Sequence, residues 1–230
     1  MLSTKGMRFP LDVTLVCIRW YAAYPLSYRH LEEMMEERGV SVDHSSINRW
    51  AIRFLPLLEK VLRRHKLAVG ASWRMDETYI KVKGVWKYLY RAVDKQGKTI
   101  DFLLTAQRDK AAALRFFDKA MKTSGMPEKV TMDKSGANKA AMDAINARGG
   151  TLIAIRQVKY LNNIVEQDHR AIKRLTRPMP NFKSFRAARC VLAGIELMHM
   201  IRKDQLKMEC SNEMSFADQF YALAGKIRPV

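Results

Sequence analysis

Three acids far apart along the chain have the types and settings to do chemistry. Asp76 lies in the run from Trp73 to Lys83, among apolar and β-branched residues. Alternation in a strand puts Arg74, Asp76, Thr78, Ile80 and Val82 on one face, and Met75, Glu77, Tyr79 and Lys81 on the other. A half-buried carboxylate in mid-strand is costly unless something cationic meets it. Asp133 closes a second strand-like run, and Glu166 stands near the start of a helical one. Three carboxylates gathered in one place repel each other and hold protons unless cations accompany them, so the cluster and a metal imply each other. Magnesium takes hard oxygen ligands. Two such ions roughly 3.5–4 Å apart activate the attacking oxygen and stabilise the leaving oxygen of a phosphodiester displacement. Asp76, Asp133 and Glu166 are therefore the candidate ligands. Each acid alone is a weak signal, because most strand and helix carboxylates are surface residues. Glu77, on the opposite face from Asp76, and Asp168, about 200° around the helix from Glu166, are expected to take no part.

The helix that begins near Glu166 continues the theme. Arg170 at i+4 and Lys173 at i+7 share its face and suit phosphate, while Val165 and Ile172 can pack inward. His169 reads equally well as a DNA contact or as a surface histidine. Asn162 and Asn163 are placed to cap the helix.

These acids need a scaffold, and the periodicities supply one. Strands are expected over 74–83, 85–93 and 99–105, with turns at Gly84 and at Asp94–Lys98. The period then changes to helical over 110–122, returns to a strand over 127–133, and becomes helical again over 139–147, ended by Gly149 and Gly150. A fifth strand over 152–158 and a helix over 164–176 follow. The order β-β-β-α-β-α-β-α is that of the ribonuclease H-like fold, a five-stranded mixed sheet flanked by helices.

An all-α region precedes the sheet. Leu11, Leu15, Ile18 and Ala22 recur at helical spacing, and Pro25 stops that helix. Ser27 offers a cap for a second helix, Gly39 ends it, and Asp43 caps a third running from His44 to about Phe54. Three short helices with a tight turn describe a helix-turn-helix. Its third helix would point Ser45, Ser46, Asn48 and Arg49 at DNA, where Asn pairs with adenine and Arg with guanine or phosphate. A plain three-helix bundle that touches nothing is the alternative.

Composition agrees with a polyanionic partner. Lys and Arg number 41 against 23 Asp and Glu, a net charge of +18. Nucleic acid is the first candidate for such an excess. No apolar run reaches membrane-span length and no secretory signal opens the chain. Cys17, Cys190 and Cys210 are few and scattered, as expected of reduced thiols in a cytoplasm. Pro56, the basic run 63–66 and Gly70 read as a domain boundary. The expected organisation is a helix-turn-helix domain at 1–66, a catalytic domain at 70–182 and a helical extension at 183–230. A long helix over 183–203 carries a stripe of Ala188, Val191, Leu192, Ile195 and Met198. It is expected to pack on the sheet, with a subunit interface as the alternative.

Several blocks together resemble the IS6 family of insertion-sequence transposases, over nearly the whole chain. They are Ser27-Tyr-Arg-x-Leu31, Glu37-Arg-Gly-Val40, Asp43-His-Ser45, Asn48-Arg-Trp50, Met75-Asp-Glu-Thr-Tyr79, Tyr88-Leu-Tyr-Arg-Ala-Val-Asp94, Thr131-x-Asp-Lys134 and Asn162-Asn-x-Val-Glu-x-Asp-His169. The Met75–Tyr79 and Asn162–His169 blocks are the most specific. The resemblance implies a DDE catalytic domain with Asp76, Asp133 and Glu166 as its triad and Lys173 as the basic residue seven positions after the glutamate. It implies two Mg2+ ions, with Mn2+ as a substitute. It also implies binding to terminal inverted repeats, cleavage to a 3′-hydroxyl, attack of that hydroxyl on target DNA and replicative cointegrate formation. A homo-oligomer, at least a dimer, would hold two DNA ends, in a nucleoid-associated cytoplasmic setting. The 32 residues between Asp133 and Glu166 are slightly fewer than usual in the family. Two other readings use the same features: a helix-turn-helix regulator without catalysis, and a structure-selective nuclease on the same fold.

Overall fold

The computed structural model describes residues 8–149, 152–158, 163–179, 182–208 and 213–225. Gly150, Asn162 and Cys210 lie outside them. The chain divides into two compact units, residues 68–171 and residues 1–67 with 172–230.

The first of these is built on a sheet. Strands β1 (Ser72–Val82), β2 (Val85–Asp94) and β3 (Thr99–Thr105) form an antiparallel meander. Strands β4 (Lys129–Met132) and β5 (Ala154–Gln157) run parallel to β1, giving the order β3-β2-β1-β4-β5. Helix α4 (Lys110–Ser124) connects β3 to β4, α5 (Gly136–Gly149) connects β4 to β5, and α6 (Asn163–Thr176) follows β5. This is the ribonuclease H-like arrangement expected from the order of patterns. The β1–β2 turn places Lys83 at φ 49° and Gly84 at φ 78°, both in the left-handed region that a two-residue hairpin turn requires. Asp109 caps α4 by accepting from the Ala112 N–H at 2.7 Å.

Period-2 burial decides what lies on each face. Trp73 and Met75 of β1, with Tyr90 and Ala92 of β2, point into one core together with Phe116, Phe117 and Met142 from α4 and α5. On the opposite face Arg91 is fully buried and meets Asp168 of α6, Nη2 to Oδ2 2.6 Å. Strands β4 and β5 are shorter than their patterns, so Asp133 falls one residue past the end of β4 instead of inside it.

The helical unit contains α1 (Leu11–Ala23), α2 (Tyr28–Glu36), α3 (His44–Leu62), α7 (Phe185–Arg202) and α8 (Phe216–Gly225). Ser27 caps α2 in a reciprocal box with His30. Gly39 takes φ 71° just past α2, and Asp43 caps α3. Two expectations are corrected here. First, α3 runs through Pro56 to Leu62 and does not stop near Phe54. A proline inside a helix costs about 3 kcal/mol. Burial of Phe54, Leu55, Leu58 and Leu62, at roughly 1.5–3 kcal/mol each, outweighs that cost. Second, α7 packs against α1 and α3 within its own unit, where the sequence had suggested the sheet. Its stripe of Ala188, Val191, Leu192, Ile195 and Met198 is buried as expected. The close approach is made at Gly194, where an added Cβ would lie 2.6 Å from Leu55 Cδ2. Cys17 and Cys190 are buried free thiols. Among the described residues no helix is long and apolar enough to cross a membrane.

Candidate active site

Strand lengths create the site. Strand β4 pairs with β1 only as far as Arg74↔Thr131 and ends at Met132. Strand β1 runs on through Asp76 and Glu77 with β2 still beside it, and Asp133 emerges into the space where β4 stops. One carboxylate oxygen each from Asp76, Glu77 and Asp133 lie within 4.8 Å of one another. The expectation that Glu77 stands apart from Asp76 is therefore corrected. Alternation does send the two side chains off opposite faces. At the opening where β4 stops, however, their carboxylates come together with that of Asp133.

The surroundings hold this cluster in place. Arg108 donates from Nε and Nη2 to the two Glu77 oxygens, both at 3.3 Å, and from Nη2 to Asp133 Oδ2 at 3.2 Å. Buried Asn138 on α5 donates to Glu77 Oε1 at 2.9 Å, and the Ser135 N–H donates to Asp133 Oδ1 at 3.1 Å. His169 Nδ1 lies 3.6 Å from Asp76 Oδ2, so this histidine is a buried neighbour of the cluster and not a surface residue. A cleft of about 480 Å³ opens beside Asp133, lined by Arg108, Lys134, Ser135 and Ala137.

Burial, with the charges of Glu77, Asp133 and Glu166, raises the Asp76 carboxyl from 3.8 to about 7. Burial also raises Glu77, against the pull of Asn138 and Arg108. Three oxygen-donor side chains this close, with their ionised forms disfavoured by burial and by each other, fit a hard divalent cation. Such an ion accepts carboxylate ligands and reverses the sign of their mutual interaction.

The other expected residues fall as follows. Glu166 sits exposed on the first turn of α6, and among the described residues it does not complete a trio with Asp76 and Asp133 at the 4.8 Å spacing. Its charge nonetheless acts on Asp76. Arg170 is exposed on the same helix and Lys173 is half-buried further along it. Asp168 is buried in the Arg91 ion pair, so it is structural, and its position away from Glu166 follows from helix geometry. Sequence reasoning missed Arg108 and Asn138. Each is a single polar residue beside a helix start, a setting with no periodic signal. Glu77 was visible but set aside on alternation alone.

In the helical unit, Ser45 and Arg49 are exposed on α3 while Ser46 and Asn48 are half-buried. The Ser45 N–H donates to Asp43 at 2.7 Å, and Arg49 donates to the Ser46 hydroxyl at 2.9 Å. His44 is tied to Glu32 of α2 at 3.0 Å, which links the two helices. Arg8, Phe9, Arg49, Trp50 and Arg53 line a cleft of about 570 Å³ along α3.

A ribonuclease H-like sheet that ends in a braced carboxylate cluster is a framework for metal-dependent phosphoryl transfer. Comparison with known proteins narrows this class. Residues 70–205 match the family model of a DDE domain of the IS240 transposase type. The transposase for insertion sequence-like element IS431mec of Staphylococcus aureus strain Mu50 is 41% identical over 198 residues, spanning 85% of this chain and 87% of the relative. The transposase for insertion sequence element IS257 in transposon Tn4003, also from Staphylococcus aureus, is 40% identical over the same span. Among solved structures, the HTLV-2 integrase catalytic core domain in complex with magnesium aligns over 69% of this chain and 84% of that one, at 16% identity and a TM-score of 0.40. The chain belongs to the IS6 family of insertion-sequence transposases. It is a DDE transposase, an enzyme that uses a divalent metal to cleave DNA and transfer strands.

Proposed function

We propose that this transposase binds the terminal inverted repeats of its own element through α1–α3 and cuts and joins DNA at Asp76, Asp133 and Glu166. On this reading residues 1–66 are a DNA-binding domain, 70–182 the catalytic domain and 183–230 a helical extension. The observation that carries it is the meeting of the Asp76 and Asp133 carboxylates with Glu77 past the end of β4, with Asp76 raised to about 7. Glu166 completes the set. It is exposed on the first turn of α6 and its charge reaches Asp76; a bound cation would convert that repulsion into shared attraction.

Asp76, Asp133 and Glu166 would hold two Mg2+ ions, for which Mn2+ would substitute. Bound there, the ions would supply Lewis acidity and neutralise developing charge in an in-line phosphoryl displacement. The chain's own residues do the positioning. Arg108 and Asn138 fix Glu77, and Arg108 with the Ser135 N–H fixes Asp133. Arg170 and Lys173 take phosphate oxygens. Ser45, Ser46, Asn48 and Arg49 face the major groove. Water cleaves the phosphodiester at the element's end and leaves a 3′-hydroxyl; that hydroxyl attacks a target phosphodiester and displaces the target's own 3′-oxygen as a hydroxyl, and replication of the joined product gives a cointegrate. At least two copies of the chain assemble to hold two ends, in a cytoplasmic, nucleoid-associated setting.

The test is Asp76→Asn with a labelled transposon end and Mg2+. Strand cleavage is lost while end binding stays near wild type, and retained cleavage in a clean preparation refutes the assignment. Binding is also salt-dependent. With about 6–10 phosphates neutralised, affinity falls on the order of 10³–10⁵ between 50 and 200 mM salt. A flat salt response would remove phosphate contact from the account.

A further inference from the structure

The hairpin formed by β1 and β2 carries large aromatic surface that the catalytic reading does not use. Tyr79 is 47% exposed and Trp86 58%. Glu77, Tyr79 and Lys81 follow one another on one face of β1, and their cross-strand partners on β2 are Tyr90, Tyr88 and Trp86. The rings touch in sequence. Tyr79 lies 5.4 Å from Tyr88 and 6.4 Å from Trp86 between centroids, and Lys81 Nζ stands 5.7 Å from the centre of the Trp86 ring. The face is thus buried at the Glu77 end and open at the tip. The turn at Lys83 and Gly84 is the tight two-residue kind, which holds the tip in one shape.

Charge selects the occupant. Between Thr78 and Tyr90 there are three lysines, Lys81, Lys83 and Lys87, and no acid. Lys81 and Lys83 are exposed, and Lys81 stands beside the Trp86 ring. A second copy of a chain with net charge +18 would meet like charge here. Flat ring faces interleaved with cations suit a nucleic acid strand, with bases stacking on the rings and phosphates meeting the lysines. A base can use a ring face only if it is out of the duplex stack. Along β1, Trp86 is about 13 Å from Glu77, within about four base steps of the carboxylates.

We infer that the β1–β2 hairpin is a stacking platform for unpaired nucleobases of the DNA strand beside the scissile phosphate, so that the enzyme engages an opened end and not a fully paired one. This rests on the reading of Asp76 and Asp133 as the place of chemistry only for which phosphate is meant. The binding itself is tested separately.

The experiment measures equilibrium binding in chelating buffer, so that no cutting occurs. Two fluorescent duplexes of one length are compared, one fully paired and one with its last three base pairs mismatched. The full chain prefers the mismatched end and its tryptophan fluorescence is quenched by it. Trp86→Ala lowers affinity for the mismatched end about 5- to 150-fold and leaves the paired duplex within about twofold. Trp86→Phe keeps most of the preference. Circular dichroism of each variant checks the fold. The proposal is overturned if Trp86→Ala keeps the preference, if it weakens both probes equally, or if it acts by dissociating an oligomer in sedimentation. Cleavage by Asp76→Asn, by contrast, would overturn the catalytic reading and leave this result standing.

Discussion

Replacing Asp168 isolates the ion pair that seats the helix bearing Glu166. Arg91 is fully buried, Asp168 has 7% of its side chain exposed, and their nitrogen and oxygen lie 2.6 Å apart. Surface screening does not discount such a pair, and removing one member leaves the other's charge in a medium where solvation is poor. Breaking buried pairs costs about 3–5 kcal/mol, out of roughly 5–15 kcal/mol of total stability. Asp168→Asn keeps the shape and an acceptor oxygen, so it falls at the low end of that range; Asp168→Leu falls at the high end. Urea denaturation followed by circular dichroism reads the loss as a shifted midpoint. The companion variant Arg91→Met/Asp168→Leu removes both charges. It recovers to within about 1–2 kcal/mol of wild type, because desolvating two ions offsets most of their attraction. If the double variant is stable but cleaves slowly, the pair orients α6 for Glu166. An Asp168→Leu protein within about 1 kcal/mol of wild type would refute the reasoning, since Arg91 would then be satisfied without it.

Two further predictions concern packing and protonation. In Gly194→Ala the new Cβ would meet Leu55 Cδ2, Cδ1 and Cγ at 2.6, 2.7 and 2.9 Å. Leu55 is fully buried and has little room to yield, so the cost is about 1–3 kcal/mol, and an unchanged melting temperature would contradict that crossing of α3 and α7. Burial and neighbouring acids raise Asp76 from 3.8 to about 7. The folded chain therefore holds a proton that the unfolded chain has released. Its stability in chelating buffer falls as pH rises from about 4 to 7 and levels off above that. Asp76→Asn lacks this part of the decline, and identical pH profiles for the two proteins would show that Asp76 is not shifted.

Much of the architecture was legible in the residues themselves, for local physical reasons. A strand alternates its side chains and a helix repeats at 3.6, so the order of patterns is the order of elements. Ser27, Asp43, Gly39 and Gly84 mark ends and turns because each satisfies a backbone need that other residues meet poorly. Asp76 could be singled out because a half-buried carboxylate in mid-strand is costly without a cation, and Asp133 because it closes a strand-like run. The rest depended on distances between parts of the chain that local pattern does not carry. Pro56 looked like a boundary until the apolar residues around it found cover, and the stripe on α7 was visible while its partners α1 and α3 were not. Alternation told which face Glu77 leaves. Only the folded sheet shows that β4 stops beside it, so that its carboxylate comes around to join Asp76 and Asp133 under Arg108. Sequence determines the direction in which each side chain departs, and tertiary structure decides what stands, or fails to stand, in its way.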